Sequence, residues 1–521
     1  MTKPIPKSWL LAFLLLAAAL AAILPMTACA SATEYDAAGA TRFVFSDSGI
    51  TVSEGSYSGY KVSGTALTIN DSGTYLISGS CADGSITVKK GTTGVTLVLG
   101  GLSLTSSDTA PIACNKSTEV TILAVSGTTN VLTDAAENND ETAPNNANAE
   151  NAVIKCKDGS AVTLCGTGTL NLIANGKNGI KSGTSTDEEG EASFTIRDLT
   201  LNISASVNDA VNVEQLLNVE SGTITLSAAD DALHCDLVMN VGADGTAGPS
   251  ITITDCYEGI EAATLNIYSG SISINASDDC LNAANSDLTN YAFSMTISGG
   301  TITAYTSSGD GFDSNGDLTI TSGTVVVWSA NRADNQPLDA NGTLTVSGGT
   351  VLAAGGSSGM GVATNATQPY VTFGSTGTGG FRSQPGGTNS AQSAASLAKG
   401  STFTVEDASG NPVYSGTALC DANYVFFSSP QLTADESYTL CSNSAAVATA
   451  AAQTGTTSGG FPGGMGGGQR PGSSDGQTPP SKPDGSDGTT ASDGMTPPAK
   501  LNGHPPQNGA ATAISEVLAK A

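Results

Sequence analysis

Acidic side chains recur in this chain at a nearly constant distance behind small-residue corners. Gly222, Gly270 and Gly300 are followed nine, nine and ten residues later by Asp231, Asp279 and Asp310. The local segments read Asp230-Asp231-Ala232-Leu233-His234, Asp278-Asp279-Cys280-Leu281-Asn282 and Gly309-Asp310-Gly311-Phe312-Asp313, and Glu258-Gly259-Ile260-Glu261 has the same form. Asp209 and Asn178 head similar segments, and Asp334 and Asp339 continue the series less regularly. Each copy is an acid or Asn, a small residue, an apolar residue that would point inward, and a polar residue that would point out. Equal offsets from equivalent corners predict a ladder of side chains along one edge. Two carboxylates about 4.8 Å apart repel by roughly 1 kcal/mol in water and by several times that at an effective dielectric near 20. From residue 205 to 345 there are 18 carboxylates and a single Lys or Arg, Arg332, so ion pairing cannot neutralise the stretch. Calcium bonds oxygen at about 2.4 Å, which sets oxygens on opposite sides of one ion about one strand spacing apart. The expected ligands are Asp231, Glu258, Glu261, Asp278, Asp279, Asp310 and Asp313. The competing reading is that Asp, Asn and Gly serve tight turns and keep an exported protein soluble. It accounts well for Asn178 and Asp209 and poorly for the doubled acids at 230/231 and 278/279.

These side chains need a repeated element to hold them. Pairs of short alternating segments joined by a Ser/Gly corner recur as LNVESGTITL from Leu217, LNIYSGSISI from Leu265, MTISGGTITA from Met295, LTITSGTVVV from Leu318 and LTVSGGTVLA from Leu344. Their corner glycines are Gly222, Gly270, Gly300, Gly323 and Gly349, at intervals of 48, 30, 23 and 26, and the first interval holds a further copy, GPSITITD. Period-2 alternation marks strands with one buried face, and the corner glycine supplies a positive φ. The signatures of leucine-rich and WD-type repeats are absent. The fold class expected is therefore all-β, a right-handed parallel β-helix in which thin coils stack to share one core.

The predicted organisation is a leader over 1–28, an N-terminal linker and cap over 29–60, the β-helix over 61–360, a C-terminal β cap over 361–445 and a Gly/Pro/Ser/Asp-rich disordered tail over 446–521. Lys3 and Lys7 precede an apolar stretch from Trp9 to Leu24, followed by Met26-Thr27-Ala28-Cys29. That order predicts an export signal with lipidation at Cys29, which would tether the chain to the outer face of a membrane or, without cleavage there, leave it secreted. Such a compartment permits disulfides, and Cys420 with Cys441 is the expected bridge. A charge of −28, from 19 basic and 47 acidic residues, argues against nucleic acid as a partner. Asp313-Ser314-Asn315-Gly316-Asp317 begins like an EF-hand loop, but Leu318 and Thr324 occupy the glycine and glutamate positions. Gly176-Lys177-Asn178 lacks the Ser/Thr of a phosphate loop.

Between about Thr41 and Ser444 the chain resembles the extracellular carbohydrate-binding β-helix proteins of bacteria, which are related in fold to polysaccharide lyases. The resemblance lies in GTYLISG from Gly73, NAVIKCKDG from Asn151, the DDAL, EGIE and DDCLN turns, ATQPYVTF from Ala366, the VEDASGNPVYSG to FSSPQL ending and the GGFPGGMGGG tail. It implies calcium-dependent, non-catalytic binding of a plant polysaccharide such as polygalacturonate. A pectate-lyase-like enzyme would need a base beside the metal carboxylates, with Lys177, Lys181 and Arg332 as candidates. A cell-surface adhesin or scaffold is the third reading. Candidate sugar contacts are Arg332, Trp328 as a stacking ring, and His234 at the ladder edge.

Overall fold

The computed structural model describes residues 39–53, 55–330, 335–356, 364–374 and 395–456. The predicted leader with Cys29, Arg332 and Asp334, and the tail beyond 456 lie outside the described residues. Within them the chain is all-β, with no helix. Nearly all strands join one 34-stranded sheet, and a separate 4-stranded antiparallel sheet lies near the C-terminus.

Most of the large sheet is built from parallel pairs between strands about one repeat apart in sequence, and three stacks result. One runs Thr169–Ala174, Thr200–Ala205, Thr223–Ala228, Ser250–Asp255, Ser271–Ala276, Thr301–Thr306, Thr324–Ser329, Thr350–Gly355. A second includes Asn178–Ser182, Val211–Val213, Leu233–Val241, Ile260–Ile267, Leu281–Ala283 and Phe312–Ser314. The third carries Ser193–Ile196 and Leu216–Val219 and shares the longer strands Leu233–Val241 and Ile260–Ile267 with the second, across a register shift in the first of these. The alternation read from the sequence puts like on like: Leu201, Ile224, Ile251, Ile272, Ile302, Val325 and Val351 are successive partners and all are buried. Burying such a side chain contributes about 1.5–3 kcal/mol, and a strand ladder alone would not hold the stack. The exposed faces carry amide ladders, with Asn202 Nδ2 donating to Asn171 at 2.8 Å and Asn266 Nδ2 to Asn240 at 3.1 Å.

The expected corner glycines all have positive φ: Gly222 105°, Gly270 115°, Gly300 82°, Gly323 91° and Gly349 79°. The last of them also lie on one another, because the amide after the corner donates to the glycine carbonyl of the previous one: Thr301 to Gly270, Thr324 to Gly300 and Thr350 to Gly323.

The ends turn antiparallel. Thr41–Ser46 pairs with Gly49–Ser53 on one side and, in parallel, with Gly73–Cys81 on the other. At the other end Tyr424–Ser428 closes against Thr350–Gly355 and Thr364–Phe373. Regular structure passes the tail boundary expected at 446: Ala445–Ala451 pairs with Ser437–Ser442, and Gln453–Thr456 with Thr364–Phe373. Small residues there extend an existing sheet edge, so they need little apolar surface of their own. The expected Cys420–Cys441 bridge is absent. All nine described cysteines are free and buried. Cys420 faces the large sheet, donating to the Ser329 carbonyl at 3.3 Å, whereas Cys441 belongs to the 4-stranded sheet.

Candidate metal site on a two-row acidic edge

The second stack sets the candidate residues in register. Ile180, Val211, Leu233, Ile260, Leu281, Phe312 and Leu338 are successive parallel partners. Two residues before each stands Asn178, Asp209, Asp231, Glu258, Asp279, Asp310 and Gln336, and one residue after each stands Lys181, Asn212, His234, Glu261, Asn282, Asp313 and Asp339. The first row is stitched through its backbone, since the amide after each row member donates to the carbonyl of the next member. Ala210 bonds Asp231, Ala232 bonds Glu258, Gly259 bonds Asp279, Cys280 bonds Asp310 and Gly311 bonds Gln336. The inward apolar residue between the rows is what locks this spacing, for Leu233, Ile260, Leu281 and Phe312 are fully buried.

Side chains reinforce the rows. Asp209 accepts the Asp231 amide at 3.0 Å, Asp279 accepts the Asp310 amide at 2.6 Å, and Asp310 accepts the Gln336 amide. A carboxylate that receives the next amide makes the turn and stays on the edge, so the turn reading and the edge register hold together here. Gly309 has no room for a side chain, because an added Cβ would strike the Asp278 and Asp279 carboxylates.

Three groups of potential donors each come within 4.8 Å: Asp209 with Asp230 and Asp231; Asp231 with His234 and Glu261; and Asp310 with Asp313 and Asp339. Their chemistry differs. His234 bonds Asp231 at 2.8 Å and Glu261 at 3.1 Å through Nδ1, and Asp236 at 2.8 Å through Nε2. Burial works against a charged ring, but these carboxylate hydrogen bonds outweigh it and hold its pKa well above the usual histidine value. The ring thus sits among carboxylates that favour its protonated form in the middle of the edge. Asp231 and Glu261, expected as calcium ligands, are engaged with that ring, and His234 is a partner of carboxylates rather than an open sugar contact.

Beyond His234 both rows hold further acids. Glu258 accepts from Asn282 Nδ2 at 3.0 Å. Burial, then the Glu258 charge, pushes the Asp279 carboxyl up to about 9. Burial and neighbouring carboxylates, chiefly Asp339, push Asp310 to about 7 and Asp313 to about 6. Asp278 lies just outside the rows, bonded by the Tyr257 hydroxyl. Among the described residues no salt bridge reaches Asp278, Asp279, Asp310 or Asp313.

At the opposite end the same rows turn basic. Lys181 pairs in register with Lys155 and reaches Asn212 at 3.2 Å and Glu214 at 3.5 Å. Lys177 holds Glu141 at 2.5 Å, Lys157 holds Glu150 at 2.7 Å and Lys116 holds Asp158 at 2.8 Å. Five register steps separate Lys181 from Asp313, roughly 24 Å at strand spacing.

Two expectations change. Trp328 is 1% exposed and packs edge-on against Phe403 with ring centroids 5.7 Å apart, so it offers no face to a sugar. Its strand is covered by the C-terminal segments, which alternation alone could not reveal. Tyr257, 44% exposed and immediately before Glu258, is the ring that stands beside the acids. Its place in the repeat was readable, because it fills the position of Asp230 and Asp278. Asp339 completes the Asp310–Asp313 group, and an irregular chain path before it hid that register.

A family of carbohydrate-binding domain-containing proteins matches residues 63–331. A carbohydrate-binding domain-containing protein of Acetivibrio thermocellus is 33% identical over 181 residues, 33% of this chain, and the chain spans 60% of that relative's length. Among solved structures, a polysaccharide lyase-like protein from C. thermocellum, determined as a gadolinium derivative, is similar at 22% identity and a TM-score of 0.37, covering 55% of this chain and 100% of its own.

Proposed function

The chain belongs to the family of carbohydrate-binding domain-containing proteins, and from that footing we propose that it binds an acidic extracellular polysaccharide of the polygalacturonate type, through calcium, without cleaving it. The observation that carries the reading is the Asp310, Asp313 and Asp339 group, whose carboxylate oxygens lie within 4.8 Å of one another with no cation among the described residues. An all-oxygen donor set of flexible carboxylates fits calcium, which takes about six to eight oxygens, better than it fits a transition metal. Asp310, Asp313 and Asp339 would hold the ion, with Glu258, Asp278 and Asp279 adding negative field, and a bound ion would supply positive charge and open positions to a uronate carboxylate. Without it the same carboxylates repel a polyuronate. Glu258 and Asp279 are kept in place by Asn282 and by the Asp310 amide, so the edge is rigid before any ligand arrives.

Binding rather than elimination is supported by the two candidate bases among the described residues. Lys177 is paired with Glu141, and Lys181 stands roughly 24 Å from Asp313 along the edge. We read the three parallel stacks as the faces of a right-handed parallel β-helix, each coil giving one strand to each face, the hand following the usual right-handed parallel crossover. The leader sequence supports a lipid-anchored location through Cys29, outside the cell.

Retention on immobilised polygalacturonate, measured at equal ionic strength in calcium, magnesium and chelator, tests the reading. Retention in calcium alone is expected, with no rise in the absorbance of unsaturated uronates. Equal retention in all three conditions would overturn it.

A further inference from the structure

The lysine end of the edge contains a cavity of about 700 Å³, inside the roughly 300–1,000 Å³ range of small-ligand sites. The strand Ala152–Cys156 forms one wall, and the long segment between Asp134 and Asn151 contributes Asp140, Glu141 and Glu150 to another. That segment has no strands of its own but is fixed in place. Asn138 Nδ2 bonds Asp134 and the Ala152 carbonyl, both at 2.9 Å, and Asn139 Nδ2 bonds the Gly176 carbonyl at 2.9 Å. The cavity is therefore built rather than left by a loose loop.

Five lysines line it, and four hold a carboxylate as described above. Lys155 does not. It is half-buried, with Lys181 one strand away and no carboxylate of the described residues within ion-pairing distance. A half-buried ammonium beside a like charge is unfavourable unless an anion meets it. Burial, then Lys181, lowers its pKa, the same imbalance seen from the proton's side. Glu150 and Glu214 oppose that shift from a distance, but each is already held by another lysine, so Lys155 has only shared compensation.

We propose that this cavity is a second, calcium-independent subsite, in which Lys155 and Lys181 take the carboxylate of one uronate residue while the paired walls accept its hydroxyl groups. The ligand class rests on the function proposed above; the anion site does not. Lys155 and Lys181 begin the row that continues through Asn212, His234 and Glu261 to Asp313, so one extended acidic glycan lying along the edge would meet two lysines at one end and the acidic group at the other.

The test is calorimetric titration of the full chain with trigalacturonate in excess chelator. Measurable binding is expected, weakened at least tenfold by Lys155→Met, which keeps the apolar stem, and restored toward wild type by Lys155→Arg. Lys61→Met, the same charge change on the exposed strand Tyr60–Ser63, should alter affinity less than twofold. In the wild-type protein, trigalacturonate should protect Lys155 from amine acylation, read by peptide mass spectrometry, which keeps the proposal open to refutation if Lys155→Met fails to fold. Unchanged affinity in Lys155→Met, absence of protection, or equal affinity for maltotriose or inorganic phosphate would overturn it. Binding in chelator together with calcium-indifferent retention on polygalacturonate would overturn the calcium reading and leave this subsite standing. Calcium-dependent retention with no binding in chelator would do the reverse.

Discussion

Asp313 is the side chain at which the calcium reading is most exposed to test. It faces Asp310 and Asp339, and its carboxylate accepts the Ser314 amide, a contact that an amide oxygen can keep, so Asp313→Asn removes charge while leaving that turn contact possible. Calcium affinity, read from the midpoint of melting against free calcium, should fall at least tenfold, while the midpoint in chelator rises by a few degrees as repulsion is relieved. An unchanged affinity would return the edge to turn-making alone. The same group predicts a pH dependence. Carboxyls held near 6, 7 and 9 at Asp313, Asp310 and Asp279 lie above their unfolded values, so between about pH 4 and those values the metal-free folded state binds more protons than the unfolded chain. Their contribution to stability is thus fully present below about pH 4 and is lost as pH rises through the folded values. In chelator, melting midpoints at pH 5 and pH 7.5 should show the decline, and Asp313→Asn should flatten it. Calcium, by favouring the ionised form, should give its largest midpoint gain at the higher pH.

Among the elements, the corners carry the stacking. Gly300 has φ of 82°, and an added Cβ would press on the Gly270 carbonyl at 2.8 Å. Gly300→Ala should therefore destabilise by about 1–2 kcal/mol from backbone conformation alone, more with the clash, as read from urea unfolding. Gly91 has a similar φ of 74° with open space around it, so Gly91→Ala should show the backbone effect without the contact. If the two variants were equally stable, the close corner-to-corner approach would not matter. The buried cysteines belong to the same level: they fill inward positions as small apolar side chains, and Cys235 and Cys420 are pushed up to about 11 and about 12 by burial. In the folded protein they should react with thiol reagents far more slowly than after denaturation.

For the whole molecule, one edge carries charge of both signs in sequence. The acidic half, His234 in the middle and the lysine cavity form one continuous row, so a long anionic ligand would sense both ends. Because Trp328 is buried between the large sheet and the C-terminal segments, its emission should be blue-shifted and unmoved by saturating polygalacturonate in calcium. Tyr257→Ala, in contrast, should weaken retention severalfold if its exposed ring lies under the glycan. A shift in tryptophan emission on binding would place the ligand near the C-terminal segments instead.

Local periodicity carried a good deal of this. Alternating Ile, Val and Leu with a glycine corner every few tens of residues is enough to imply stacked parallel strands, because a thin coil has no other way to bury one face. The constant offset from corner to acid was likewise enough to set Asp231, Glu258, Asp279 and Asp310 in one row, since each repeat spends the same number of residues between corner and edge. What periodicity could not carry was the neighbour across the fold. Asp339 joins Asp310 only because Leu338 bridges Phe312 after an irregular path, and Trp328 is hidden only because the last strands fold back over it. His234 reads as an edge residue in sequence, yet three carboxylates from two strands converge on its ring. The lysines from 116 to 181 look scattered along the chain, and one-coil spacing brings them to a single cavity. Burial and charge compensation depend on distances between residues far apart in sequence, and those distances exist only once the coils have closed.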